Sequence, residues 1–418
     1  MSGPQHPVFV VGVGTDVLSL VRIFGAKGVP CWVCSSRRVP GAVSRYARYF
    51  PVADPREDEE GMIADLVALA RLQSRPPVIF TGCDQHAQAL ARHRDRLREV
   101  ALPCIARSEV VDLLVHKADF SAWASDRIGS YPRSMPACQF HPGNGLEFPV
   151  VAKPNHRGFS NAGKLGLPSE EDLHERRFSL ISNAADWTAY QDCNRDFLPH
   201  ILIQEYVSGT SASKFSVCLY ADSSSKIRAL FVGRRLRGYP ALYGDASLLQ
   251  SDAVPREVLD EVAAMVKLLG YQGIAEAEFN CDDRTGRYRL LEMNPRCWGW
   301  IGITGATECN IPWIAYRDLI GEAIAPRVVG PGPGTIKMVY LVQDAASVFL
   351  RYRWNYPEWV MSPRAWWRSL RADQLVVWEI DRHDWQGTIV CFATMAIKAV
   401  KSAFRQVIRK LVAPRPRS

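Results

Sequence analysis

The chain has 418 residues, enough for two to four domains with separate cores, and 47% hydrophobic with 22% charged content is ordinary for a globular protein. The formal net charge is +8, and seven basic residues with no acidic ones lie between Lys398 and Ser418. Charge gathered at one end excludes a nucleic-acid face spread over the fold, so no nucleic-acid partner is expected.

Several whole-chain signals bear on compartment. No apolar run is long enough to span a bilayer. Met1–Pro7 is polar and leads straight into a strand, without a secretory signal. The eleven cysteines have no framework spacing, which predicts reduced thiols and a cytoplasmic protein. Cys31-Trp32-Val33-Cys34 has C-x-x-C spacing, but it falls in a buried strand that would point the sulfurs to opposite faces.

In chain order, Val8–Val13 predicts a short strand, followed by Gly12, Gly14 and a helix over Asp16–Gly25. Gly28 and Pro30 lead into a strand over Cys31–Ser35. A helix over Gly61–Leu72 and a strand over Pro77–Thr81 come next. This alternation predicts a parallel α/β layer over residues 1–105. Gly12-Val13-Gly14 lacks the third glycine of a dinucleotide fingerprint and reads as a tight turn. Asp84 stands just past the strand end, where open α/β sheets place ligand contacts.

Phe148–Lys153 predicts a strand ending at Lys153, with a polar glycine-bearing loop after it. Gly158 to Lys164, through Gly163, nearly spells a P-loop, but Leu165 stands where a hydroxyl should meet Mg²⁺. A loop whose amides and Lys164 close over phosphates fits better than a P-loop NTPase. Ile201–Gln204 predicts a strand entering Glu205-Tyr206-Val207, whose backbone can meet an adenine edge. Lys214–Ala221 and Ile227–Gly233 predict a hairpin, followed by the basic cluster Arg234, Arg235 and Arg237. Ser251 or Asp252 is expected to cap a helix ending at Leu269, with Gly270 as its stop.

The most informative segment follows. Ala275–Phe279 and Leu291–Arg296 flank the turn-forming run Cys281–Gly286, which predicts a hairpin with Glu278 opposite Glu292. Alternation puts Glu292 and Asn294 on one face and Leu291 and Met293 on the other. Facing carboxylates repel, and a divalent cation converts that repulsion into binding. Arg296 adds a fixed positive charge suited to phosphate or carboxylate. Glu276 supplies a further carboxylate on the same face as Glu278.

After Pro331-Gly332-Pro333-Gly334 the chain is tryptophan-rich (Trp354, Trp359, Trp366, Trp367, Trp378, Trp385), as expected of the core of a small accessory module. From Gly387 to Val412 apolar residues recur at helical spacing among Lys398, Lys401, Arg405, Arg409 and Lys410. Such a helix can lie on an anionic membrane surface, dock on a partner, or pack on its own domain.

The order Lys117, Lys153, glycine loop, Gln204-Glu205-Tyr206-Val207 and Glu278/Glu292/Asn294/Arg296 resembles the ATP-grasp superfamily over residues 1–325. Arg234–Pro240 and Tyr243-Gly244-Asp245 point to its carboxylate–amine ligase branch, which includes D-aspartate ligase. The resemblance implies an α/β (α+β) fold: a Rossmann-like domain over 1–105 and an ATP-grasp domain over 106–330 with a mobile lid near 130–200. A C-terminal helical extension over 331–418 would follow. It implies ATP and Mg²⁺ as cofactors, with Mn²⁺ as a substitute, and a small carboxylic acid and an amine as substrates. Lys117, Lys153, Gly158, Gly163 and Lys164 would hold the phosphates, and Glu205, Tyr206 and Val207 the adenine. Glu278, Glu292 and Asn294 would ligate the metal. Arg296 and Lys153 would act on the reacting group, with Arg235, Arg237 and Asp84 as further substrate or phosphate contacts. The expected product is an amide, with ADP and phosphate released. A nucleotide-binding regulator without turnover and a ligase with a thiol acceptor are the alternatives. The expected location is the cytoplasm, with the inner face of the membrane as one of the alternatives open to the basic helix, and oligomeric state is open.

Overall fold

A computed structural model describes residues 5–155, 178–239, 241, 245–330, 332 and 334–412. The glycine loop with Gly158, Gly163 and Lys164 lies outside the described residues, as do Pro240, Tyr243 and Gly244.

Five short parallel strands form the first layer, in the order β3-β2-β1-β4-β5. They are β1 (Val8–Val11), β2 (Cys31–Ser35), β3 (Ala47–Pro51), β4 (Val78–Thr81) and β5 (Leu102–Pro103). Helices α1 (Asp16–Gly25), α2 (Glu59–Arg71), α3 (Asp84–Arg92) and α4 (Arg94–Arg98) connect them. All four residues of β1 are buried, as expected of a strand covered on both faces. Cys31 and Cys34 pack into different cores on opposite sides of this sheet, and all eleven cysteines are free thiols. Burial pushes the Cys31 thiol up to about 12 and that of Cys34 higher still, which keeps both protonated.

Two helices, α5 (Ser108–Val115) and α6 (Lys117–Ser125), lead to a four-stranded antiparallel sheet in the order β6-β9-β7-β8. Its strands are β6 (Ser134–Pro136), β7 (Val150–Pro154), β8 (Ser179–Ile181) and β9 (Ile201–Glu205), with α7 (Ala184–Cys193) between the last two. Val150, Ala152, Ile201 and Ile203 pack inward. Their alternation turns Lys153 and Gln204 to the other face.

The large sheet has eight strands, and β10 (Lys214–Ala221), β11 (Ile227–Tyr239) and β12 (Asp245–Ser251) form an antiparallel run within it. Next comes α8 (Arg256–Leu269), whose buried Val258, Val262, Met265, Val266 and Leu269 repeat at helical spacing. Ser251 ends β12, so the residue before this helix is Pro255, not the expected Ser251 or Asp252. Gly270 closes the helix at φ 57°, a left-handed conformation that glycine adopts without steric cost.

The predicted hairpin is β13 (Gly273–Cys281) with β14 (Tyr288–Asn294), at the sheet edge beside β10. Glu278 stands opposite Glu292, as its sequence suggests, and Glu276 opposite Asn294. A register shift after Glu278 resets the alternation, so Leu290 rather than Leu291 joins Met293 in the core. Helix α9 (Ile311–Leu319) covers the sheet, and β15 (Val328–Gly330) pairs with β11.

Residues beyond 331 are not the separate accessory module expected from composition. Strands β16 (Ile336–Val339) and β17 (Gln374–Val377) complete the large sheet beside β12. Four residues each, they are too short for a clear alternation in sequence. Short helices α10 (Leu341–Ala346), α11 (Tyr352–Asn355) and α12 (Pro363–Ser369) lie between them, and α13 (Trp385–Val412) follows. Trp378 is buried, whereas Trp367 and Trp385 are 66% and 61% exposed, so the tryptophans do not form a single core.

Candidate functional site

The edge hairpin presents Glu276, Glu278, Glu292 and Asn294 side by side, and the small sheet brings Lys153 toward them. Lys153 donates from Nζ to Gln204 Oε1 at 2.8 Å, and Gln204 Nε2 donates to Ser134 Oγ at 2.8 Å. Burial depresses Lys153 to about 7. The charge of Lys117 pushes the same way, while Glu292 and Glu278 resist. That balance shows that groups from α6, β7 and the β13–β14 hairpin share one field. Lys117, first residue of α6, pairs its ammonium with Glu292. Its backbone N–H donates to Asn155 O at 2.7 Å, tying the helix start to the end of β7.

Asn294 is committed within the ladder. Its Nδ2 donates to Glu278 Oε1 at 2.9 Å, and its Oδ1 accepts from Arg296 Nη2 at 3.2 Å. Arg296 turns back to the first layer, pairing through Nε with Asp84 at the start of α3. Burial works against its charge, but Asp84 outweighs that penalty and holds the guanidinium cationic. Asp84, Asn294 and Arg296 therefore join the strand-end crevice of the first sheet to the hairpin.

Two further carboxylates crowd this junction. Glu276 is 5% exposed and accepts from Trp300 Nε1 at 3.0 Å. Burial and the neighbouring Glu278 raise it to about 8. Asp16, which opens α1, is 2% exposed, and burial raises it to about 6 against the pull of Arg296. Its Oδ2 has no hydrogen-bond partner among the described residues. The carboxyl fits only because residues 14 and 82 are glycines; a Cβ at either would collide with it. Among the described residues the crevice thus gathers three carboxyl groups, Asp84, Asp16 and Glu276, around Arg296, with Glu276 held toward its neutral form.

The segment after β9 is stapled to the hairpin. Arg289 Nη2 donates to Glu205 Oε2 at 3.1 Å, Arg284 Nη2 to Tyr206 O at 3.3 Å, and Asn280 Nδ2 to Val207 O at 3.0 Å. Glu205, Tyr206 and Val207 therefore border the cleft between the sheets. The two strand arginines diverge from the others. Arg237 is clamped on Asp344, Nε to Oδ1 at 3.0 Å and Nη2 to Oδ2 at 2.6 Å, and Arg235 Nη2 donates to Ala241 O at 2.9 Å. Both are buried, and Arg237 is held against the C-terminal part through Asp344 and Ser369.

Among the described residues no group of three His, Cys, Asp or Glu side chains forms a ready metal cage. Mg²⁺ is commonly held by one or two carboxylates together with nucleotide phosphates, and Glu278 opposite Glu292 meets that requirement. Each of the three expected ligands has a partner of its own: Glu278 accepts from Asn294, Glu292 from Lys117, and Asn294 Oδ1 from Arg296.

Sequence reasoning named Gln204 in a motif without giving it a role, and it missed Asp16 and Trp300. Gln204 had a signal, since a polar residue in phase with Lys153 on a strand should share its face. Asp16 had none, because Gly82 and Arg296 beside it lie far away along the chain.

No family model matches the chain. It is 22% identical over 305 residues to the D-aspartate ligase of Enterococcus faecium (strain Aus0004), covering 69% of this chain and 70% of the relative. Among solved structures, the fold is similar to N5-carboxyaminoimidazole synthetase from Staphylococcus aureus complexed with ADP (TM-score 0.61, 12% identity, 85% of this chain and 86% of that one). It is also similar to the L-amino acid ligase from Bacillus licheniformis (TM-score 0.54, 14% identity, 76% and 75% covered). A third likeness is to the biotin carboxylase domain of Hydrogenobacter thermophilus 2-oxoglutarate carboxylase, in complex with magnesium ADP and bicarbonate (TM-score 0.58, 13% identity, 77% and 71% covered). The chain has the ATP-grasp fold, and in sequence it is similar to a D-aspartate ligase.

Proposed function

We propose that this chain is an ATP- and Mg²⁺-dependent ligase that joins a small carboxylic acid, an amino acid among the candidates, to an amine and releases ADP and phosphate. The observation that carries this reading is the meeting of Lys117 and Lys153 with the facing Glu278 and Glu292. Two cations and two carboxylates from separate elements are what a metal-bound triphosphate needs. Phosphoryl transfer depends mainly on positioning and on offsetting negative charge. The D-aspartate ligase and L-amino acid ligase among the similar proteins, and the nucleotide named with the other two, agree with it.

In this reading Lys117 and Lys153 hold the phosphates, while Glu278 and Glu292 hold the Mg²⁺ that travels with them and neutralises further charge. A carboxylate oxygen of the acid attacks the γ-phosphorus, the bond to ADP breaks, and an acyl phosphate forms. The amine then attacks the acyl carbon, phosphate departs, and the amine loses a proton. The crevice of Asp16, Asp84, Glu276 and Arg296 holds the acid or the amine, its carboxyl groups suiting an ammonium group and its guanidinium a carboxylate. An ADP-release screen over D- and L-amino acids with an amine panel, read with product mass spectrometry, tests the proposal. The expected outcome is ADP and phosphate formed in step with an amide. Release of AMP and pyrophosphate would overturn the acyl-phosphate route.

A further inference from the structure

The final helix α13 is 28 residues long, and the cleft makes no use of it. One side is docked: Cys391 is fully buried and Met395 is 8% exposed. Its opposite side is apolar and open, with Trp385 61%, Ile389 58%, Ile397 55% and Val400 69% exposed. At 100° per residue these four side chains fall within one arc of about 120°. Cys391 and Met395 project from the far side of the helix. Single exposed hydrophobics need no explanation, but a continuous row along one helix does. In the sequence the same spacing continues through Phe404, Val407, Ile408 and Leu411.

Charge decides what covers this row. From Trp385 to Ser418 there are seven basic residues and no acidic one. A second copy would bring two such cationic segments together, which is repulsive. A negatively charged bilayer surface supplies both an apolar layer for the row and anions for the lysines and arginines. No helix among the described residues is long and apolar enough to cross a membrane, so the helix would lie in the plane of the surface. Its start is anchored to the body. Asp384 accepts from Arg22 Nε at 3.1 Å, from Arg45 N at 2.9 Å and from Gly387 N at 3.3 Å.

We propose that the open face of α13 is a docking surface for anionic phospholipid bilayers, holding the folded body against the membrane. The test is vesicle co-sedimentation of the full chain, using phosphatidylcholine alone and phosphatidylcholine with about one third phosphatidylglycerol. The wild type should pellet with the anionic vesicles and release as salt is raised, with about tenfold weaker association to neutral vesicles. Ile389→Glu with Ile397→Glu should weaken anionic binding at least about tenfold, and Lys401→Gln with Arg405→Gln should lower both binding and its salt sensitivity. Ile389 and Ile397 are exposed, and an unchanged circular dichroism spectrum reports that each variant is folded. No pelleting of the wild type, or equal pelleting of wild type and the glutamate variant, would overturn the proposal. So would self-association by light scattering that the glutamate variant abolishes, since a second copy would then be the occupant.

Discussion

Two buried arginines, Arg237 and Arg296, are each clasped by a buried aspartate, yet their surroundings have opposite character. Around Arg237 the polar groups close on one another. Asp344 also accepts from Ser247 Oγ at 2.7 Å and Trp366 Nε1 at 2.8 Å, and Arg237 Nη1 donates to Ser369 Oγ at 2.8 Å. Around Arg296 the carboxylates outnumber the cation. Asp16 keeps an oxygen with no hydrogen-bond partner among the described residues, and Glu276 is driven toward its neutral form. A satisfied network of this sort fastens the C-terminal strands to the large sheet. Buried carboxyl groups with raised proton affinity are typical of a place built for a ligand.

Mutations should separate the two regions. Asp344→Ala strands Arg237 in the core and is expected to cost about 3–5 kcal/mol of stability, read by urea unfolding. ATP binding at low temperature should survive in the fraction that remains folded. Lys153→Ala is expected to do the reverse, lowering the rate of ADP release about 10²–10³-fold without loss of stability. If both variants lost stability alike, the division between fastening and function would fail.

A smaller effect sharpens the comparison through pH. Glu276 in the folded chain sits near 8, above its ordinary 4.5, so between those values the native state binds more protons than the unfolded state. Its contribution to stability is complete at low pH and is lost as pH rises through that window. Glu276→Gln should flatten the decline and gain about 1–2 kcal/mol at pH 8, measured by denaturation at several pH values. Lys153 acts in the opposite sense. Its folded value near 7 lies below the ordinary 10.5, so stability rises with pH between the two, and Lys153→Met should remove that rise.

Much of the cleft was legible in sequence, for reasons that are local. Glu278, Glu292 and Asn294 belong to one hairpin, and strand alternation plus a turn-forming run fixes their faces and their register. The crevice behind them was less so. Asp84 could be placed at a strand end, but its bond to Arg296 spans 212 residues and depends on how two sheets meet. The C-terminal strands were hidden for a similar reason. Ile336–Val339 gains its identity as a strand from β12, a partner chosen by tertiary packing. The bulge that replaces Leu291 with Leu290 in the core likewise leaves no mark in the alternation of the sequence.

The account rests on Lys153 and the ladder carboxylates gripping a metal-bound nucleotide tail. Calorimetric titration of MgATP at pH 6 and pH 8, in buffers of different ionisation enthalpy, tests this most directly. Phosphates raise the proton affinity of a lysine that sits near 7 when free, so binding should take up a proton at pH 8 and little at pH 6. Lys153→Met should abolish the uptake. Absence of binding, or proton uptake unchanged in Lys153→Met, would contradict it.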